Sequence, residues 1–412
     1  MFLEFPKGFF WGAATAAHQV EGDNYNDWTD WEEKNSIRLA RSAIALARQA
    51  DRFPEMFDAD NYISGKTCNH YNLFEKDFDI AKKLGHNAHR FSIEWSRIEP
   101  EEGKFNEAEI EHYRKVIRAL RKRGIEPFVT LWHWTNPLWL AEKGGVAGEK
   151  FPFYFSRYVK KVSQSLGEDI KFWITVNEPN IYASLGYITG RQFPGKRNIL
   201  LGIKAFGNLI SAHRAAYASI HENDKFATVG ATNSVTYFYP KNNNPINLLV
   251  CRIADYFWNI IFYKKISDSS DFLGCNYYSK KSVGFFGDAK KTDKSDLGWD
   301  IFPEGIYYLL KDIAKLKKPL FIFENGIADA DDSKRSDFIK NHLTSVHKAI
   351  SEGADIRGYF YWSLLDNFEW NKGFWPRFGL IEVDYKTQKR TIRKSALYYK
   401  DIISKNWIDD TK

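Results

Sequence analysis

The chain has 412 residues, with 59 Lys or Arg against 52 Asp or Glu and a net charge of +7. That charge is spread along the chain with no basic block and no aromatic RNA-binding motif, which argues against a nucleic-acid partner. No apolar run approaches the roughly 18 residues of a membrane-spanning helix, and Cys68, Cys251 and Cys275 are too few and too scattered for a disulfide framework or a zinc site.

The first residues, Met1-Phe-Leu-Glu-Phe-Pro-Lys7, lack the basic and long apolar regions of a secretory leader. Together with the odd cysteine count this implies a cytoplasmic protein. Aromatic residues make up 17% of the chain, including 14 Trp and 22 Tyr. A large core accounts for most of them, and the surplus also suits stacking on sugar rings.

In chain order, apolar strand patterns cover Phe9–Thr15, Asn87–Ser92, Pro127–His133, Phe172–Asn177, Thr228–Ser234, Phe272–Tyr277, Leu320–Glu324 and Gly358–Trp362. Amphipathic helical patterns lie between them, among them Asn106–Arg123, Phe153–Leu166, Leu201–Asn223, Pro303–Lys315 and Ser333–Glu352. Asn106 with Glu107 and Glu109 reads as a helix start, and Arg121, Lys122, Arg123 and Gly124 as its end. Ser333 reads as the start of another. About eight strand–helix units predict a single (β/α)8 barrel domain spanning residues 1–412, with a parallel closed sheet and loop or helix insertions at its C-terminal face. The Ala-rich, basic segment Ser36–Phe53 reads as one such inserted helix, and Met56–His70 as irregular chain. A packing or oligomer element, compatible with a homo-oligomer, is the plainer reading of the insertion; a pocket wall is the other.

Two of the strands end in glutamates. Glu178 closes Phe172-Trp-Ile-Thr-Val-Asn-Glu178-Pro179, and Glu324 sits in Leu320-Phe-Ile-Phe-Glu324-Asn325-Gly326. They fall at the fourth and seventh strand tips, where such a barrel gathers catalytic groups. Two carboxylates about 5–5.5 Å apart across the mouth would hydrolyse a glycosidic bond with retention. The wholly apolar strand and sharp turn around Glu324 suit a nucleophile, and Glu178 then serves as acid/base, its pKa raised by its neighbour. No phosphate loop, dinucleotide fingerprint, His-Glu-x-x-His or paired Cys-x-x-Cys is present, and the expected chemistry needs no metal or cofactor.

Five segments, two of them around these glutamates, point the same way. Thr175-Val-Asn-Glu-Pro179 and Phe323-Glu-Asn-Gly326 resemble the acid/base and nucleophile motifs of glycoside hydrolase family 1. Phe10-Trp-Gly-Ala-Ala-Thr-Ala-Ala-His-Gln-Val-Glu-Gly22 resembles its N-terminal signature. Tyr361-Trp-Ser-Leu-Leu-Asp-Asn-Phe-Glu-Trp370 with Gly373-Phe-Trp-Pro-Arg-Phe-Gly379 resembles its C-terminal signature. The resemblance runs along essentially the whole chain. It departs at His133-Trp-Thr-Asn-Pro137, where many members have His-Trp-Asp-Leu-Pro, and the shorter chain is similar to an archaeal-type branch.

The resemblance implies that Gln19 offers its amide oxygen and NH2 to adjacent sugar hydroxyls, His133 contacts O3 and Asn177 contacts O2. Glu369 accepts from O4 and O6, Trp370 donates to O3, and Trp362 forms the pocket floor. Tyr278 and Arg90 flank Glu324, Trp299 borders the aglycone, Asn276 is a supporting residue, and Trp134 lines either pocket or core. Glu369 would repel a phosphate, so unphosphorylated sugars are expected, and an intact Glu178 indicates O-glycosides. The expected activity is a retaining exo-β-glycosidase on short β-linked oligosaccharides or aryl glycosides. β-Glucosides come first, with β-galactosides, β-fucosides and β-mannosides behind them. A transglycosidase using the same residues, or a non-catalytic sugar-binding relative, are the alternatives.

Overall fold

The computed structural model describes residues 2–43, 52–285 and 292–409. Eight parallel strands close into a barrel in chain order: Phe10–Ala14, Ala88–Ser92, Glu126–Trp132, Phe172–Asn177, Thr228–Pro240, Phe272–Val283, Leu320–Asn325 and Ile356–Trp362. The first pairs with the eighth, Trp11 opposite Tyr359 and Ala14 opposite Trp362, so the sheet has no edge in the barrel wall. Within the barrel both faces of the strands are covered, which is why the strand sequences read as continuous apolar runs.

The expected barrel is therefore the one observed, and most strand ends agree to within about two residues, the usual uncertainty of a boundary. The fifth and sixth strands run further. Their pairing continues from Tyr237 opposite Lys280 to Pro240 opposite Val283, past a register shift between Val235 and Tyr237. There the ribbon leaves the barrel and becomes half-exposed. The continuous apolar pattern stops at that point although the hydrogen-bond ladder does not.

Inside the barrel, Phe128, Phe172, Phe272, Phe321, Phe323 and Phe360 form one ring-filled layer. Phe128 and Phe172 stack with centroids 4.2 Å apart. Phe323 points into this layer and the next residue, Glu324, sits above it. The layer has room for Phe323 only because Gly274 stands opposite: a Cβ there would meet the Phe323 ring at 2.4 Å. Gly274→Ala is expected to cost about 1–3 kcal/mol by overpacking and to lower activity by moving Glu324. Thermal denaturation and aryl-glycoside turnover check both; an unchanged melting temperature would contradict the packing argument.

Helices surround the barrel. Asn106 caps the helix Glu107–Lys122 by accepting from the Ala108 and Glu109 amides, with Glu107 and Glu109 in the first turn and Arg121 and Lys122 in the last. Two expectations are corrected. The helix placed at Ser333 begins at Arg335 and runs to Ser351. Its first amides donate to Asp329, Lys334 N to Oδ2 at 2.8 Å and Arg335 N at 3.0 Å, so a carboxylate in the preceding loop serves where Ser333 was expected.

The inserted helix spans Asp27–Ser42, not Ser36–Phe53, because Asn26 and Thr29 form a capping box well upstream of Ser36; residues 44–51 of the expected helix lie outside the described residues. Phe53 packs on Trp375 at 5.1 Å. Met56–His70 opens with short 3-10 turns, Pro54–Phe57 and Ala59–Tyr62, joined by the Tyr62 hydroxyl donating to the Met56 carbonyl at 2.8 Å. Beneath the barrel, Phe2–Glu4 and Trp407–Asp409 pair antiparallel. Asn406 fastens them there, its Oδ1 accepting from Trp11 Nε1 at 2.9 Å. Among the described residues no helix is long and apolar enough to cross a membrane.

Candidate active site

The fourth strand delivers Glu178 through a left-handed residue. Its φ is 47° and ψ 57°, an arrangement that non-glycine residues adopt at a cost. The Glu178 amide donates to Thr232 O at 2.9 Å and Pro179 starts a short helix, and these two anchors fix the turn. The seventh strand delivers Glu324 directly from its C-terminal end. Behind it, Gly326 lies so close to the eighth strand that a Cβ would fall 1.8 Å from the Trp362 carbonyl.

The two carboxylates are buried, 6% and 4% exposed, but held differently. Glu324 accepts from Arg90 Nη1 at 2.6 Å on Oε1 and from the Tyr278 hydroxyl at 2.6 Å on Oε2. Arg90 is itself locked, with Nε donating to Thr130 Oγ1 at 3.0 Å and Nη2 to Asn177 Oδ1 at 2.7 Å. Glu178 accepts from Asn276 Nδ2 at 2.9 Å. The Asn276 amide is oriented by Thr232, whose hydroxyl donates to Asn276 Oδ1 at 2.8 Å, so its NH2 faces the acids. The same NH2 also donates to Asn177 Oδ1 at 3.2 Å.

The consequence is electrostatic. Burial, then the Glu324 charge, pushes the Glu178 carboxyl up to about 8. Burial also raises Glu324, but the Arg90 charge and the Tyr278 and Arg90 hydrogen bonds pull it back. Glu178 is therefore the group that holds a proton near neutral pH and Glu324 the one with donors for its ionised form.

The remaining wall is polar and aromatic. His133 Nε2 lies 3.0 Å from Asn177 Nδ2. Because Asn177 Oδ1 faces Arg90, its NH2 faces the ring, which makes His133 Nε2 the acceptor. Burial and the Arg90 charge keep His133 well below its usual range and neutral. The His133 ring lies near-parallel to Trp362 and Trp370, with centroids at 6.1 and 6.0 Å.

Glu369 is pushed up to about 8 by burial and then by Glu324, while Trp362 and Gln19 donate to it. Gln19 differs from expectation. Its NH2 donates to Phe368 O at 2.8 Å and Asn367 Oδ1 at 3.0 Å, while its buried Oε1 has no protein partner. It presents an acceptor only, not an acceptor and donor together. Trp134 fills both of its expected places: it lines the cavity, and its Nε1 donates to Asn177 O at 3.0 Å.

Ten of the thirteen expected site residues line one cavity of about 330 Å3: Gln19, His133, Trp134, Glu178, Tyr278, Trp299, Glu324, Trp362, Glu369 and Trp370. The other three, Arg90, Asn177 and Asn276, are bonded to these from behind. Thr130 and Thr232 orient Arg90 and Asn276 and were not foreseen; their signal is a hydroxyl inside an otherwise apolar strand. Leu185, Arg191, Gln192 and Lys372 also line the cavity and come from segments outside the quoted motifs. A larger cleft of about 740 Å3 beside Arg121, Lys171 and Phe226 lies near the start of the fourth strand and contains none of these groups. Among the described residues no set of three or more His, Cys, Asp or Glu side chains is arranged to hold a metal ion.

The model of glycosyl hydrolase family 1 matches residues 2–265 and 259–408. The chain belongs to glycosyl hydrolase family 1. As a family 1 member it is a retaining glycoside hydrolase. It is similar to the β-glucosidase A of Thermotoga maritima, 34% identical with 99% of each chain covered. It is also similar to the β-galactosidase of Pyrococcus woesei, 28% identical with 98% of each covered. Among solved structures, the β-glycosidase from Pyrococcus horikoshii superposes with a TM-score of 0.89 at 38% identity, over 100% of this chain and 97% of the other. The Pyrococcus relatives bear out the expected similarity to an archaeal branch of family 1.

Proposed function

We propose that residues 1–412 form one catalytic domain that removes terminal β-D-glycosyl units, β-glucosyl first, by double displacement. Glu324 attacks the anomeric carbon while the bond to the leaving oxygen breaks, and Glu178 gives that oxygen its proton. Water then attacks the glycosyl ester, Glu178 takes a proton from it, and the Glu324 carboxylate is released.

The observation that carries the reading is the unequal support of two adjacent buried acids, one braced by Arg90 and Tyr278 and the other protonated near pH 7. The Glu324 charge acts directly on the Glu178 carboxyl, and such closeness favours the short spacing of a retaining pair over the inverting one. Gln19 Oε1, His133, Asn177, Glu369, Trp362 and Trp370 then hold the sugar, with Trp299 at the aglycone. The unpaired cysteines favour a reducing, cytoplasmic setting.

The β-galactosidase relative keeps the axial O4 epimer as the second reading. A panel of nitrophenyl β-glycosides, including a 6-phosphate, decides it. We expect glucoside to lead and the phosphate to be refused at Glu369; a phosphate turned over as fast as its parent would refute the assignment of Glu369.

The pH profile is a second test. A carboxyl raised to about 8 supplies its proton below that value, so kcat/KM on alkyl glucosides should fall as pH rises through about 8. In Glu178→Gln, residual turnover of an activated aryl glucoside should lose this limb. A limb that persists would assign it to Glu369, which titrates in the same range.

A further inference from the structure

A second cavity of about 210 Å3 adjoins the active-site cavity, sharing Arg191, Asn371 and Lys372 with it. Its described lining includes Arg38, Arg191, Arg197 and Lys372 and no carboxylate. These cations come from three separate parts of the chain: Arg38 from the helix Asp27–Ser42, Arg191 and Arg197 from the loop after Ile188, and Lys372 from the turn Trp370–Lys372. Their convergence is thus a product of the fold and not of one basic run.

Asn371 ties two of these segments together. Its Nδ2 donates to Arg191 O at 3.3 Å, and its Oδ1 accepts from Gln192 Nε2 at 3.1 Å. Arg38 lies over the Trp31 ring at 5.7 Å with Nε donating to Asn35 Oδ1 at 2.9 Å, a neutral partner. The Lys372 ammonium is held below its ordinary range by burial and by the neighbouring Arg191 charge, only partly offset by Glu369. Like charges gathered around a cavity repel one another until an anion sits among them.

The position of the cavity indicates what carries that anion. Glu178, Glu324 and Gln19 are buried and share with the half-buried Glu369 the inner part of the active site, which takes the sugar being removed. Arg191 and Arg197 are exposed, so the side cavity lies toward solvent, the direction in which the leaving part of a substrate would extend from a buried sugar. We propose that the side cavity binds an oxyanion on the leaving part, a carboxylate, sulfate or phosphate ester, so that the enzyme prefers β-glycosides of acidic aglycones or acidic second sugars. This rests on the hydrolase reading given above. It is distinct from a phosphate on the sugar being removed, which Glu369 disfavours.

The test compares cellobiose with the disaccharide in which glucuronic acid replaces its reducing glucose, by glucose release at low ionic strength. The acidic substrate should show kcat/KM about 10-fold higher, as charge-assisted hydrogen bonds to Arg imply, and high salt should erase the difference because the arginines are exposed. In the double variant Arg38→Gln, Arg197→Gln the ratio should fall to within about two-fold, with p-nitrophenyl β-glucoside turnover unchanged.

A wild-type ratio near one, or a preference that survives in the double variant, overturns the inference. Inorganic phosphate raising the melting temperature of the wild type but not of the double variant, without any preference for the acidic disaccharide, would mark a free-anion site and overturn it too. Absence of turnover on every neutral glycoside would instead bring down the hydrolase reading, and this inference with it.

Discussion

Glu324→Ala is expected to abolish turnover, and added azide or formate should restore part of it with inverted configuration. The loss should be on the order of 10^5-fold, about 7 kcal/mol of transition-state stabilisation, because no covalent intermediate can form. The variant leaves the Arg90 guanidinium and the Tyr278 hydroxyl, each 2.6 Å from a carboxylate oxygen in the parent, facing an empty volume. A small anion entering that volume meets the same donors and can attack the anomeric carbon from the same side. The product is a glycosyl azide or formate of inverted configuration, and no second displacement follows. Proton NMR of the anomeric signal reads the outcome. Rescue with retained configuration would sink the assignment of Glu324 as nucleophile. Removing the carboxylate also strands the buried Arg90 cation, so the variant should melt below the parent, whereas Glu324→Gln keeps an acceptor for it.

Glu178→Ala should separate substrates by leaving group. An activated phenolate departs without a proton, so the first step survives on dinitrophenyl glycosides while the second, which needs a base for water, slows and the glycosyl-enzyme accumulates. Poor leaving groups should lose roughly 10^2–10^4-fold, the usual worth of general acid catalysis. Azide should here act in the second step and give glycosyl azide with retained configuration, opposite to its product in the Glu324 variant. Pre-steady-state bursts and a leaving-group series measure both effects. Equal losses on good and poor leaving groups would argue that Glu178 is only structural.

Much of this architecture was legible in the residues because the barrel strands are buried on both faces and their tips end in charged or polar residues that burial makes costly. Glu178 and Glu324 stood out for that reason, and local rules such as the Asn106 cap survived contact with the fold. What was not legible depends on distant segments meeting. Gln19 lies 348 residues from Asn367, which takes one of its donors, and no spacing rule reveals that its NH2 is already committed. The Asp329 cap was hidden because it reaches past the expected Ser333. Thr130 and Thr232 gain their importance from Arg90 and Asn276 on neighbouring strands, and the cations of the side cavity come together from three separate parts of the chain.

The pairing of Phe2–Glu4 with Trp407–Asp409 has a practical corollary. Both ends of the described chain emerge together on the underside of the barrel, a full strand length from the glutamates. An affinity tag, a fused partner or a solid support attached at either end would leave the catalytic mouth facing outward. The same neighbourhood would let a short linker join the two ends, and new ends could then be opened in a surface loop elsewhere with the barrel closure intact.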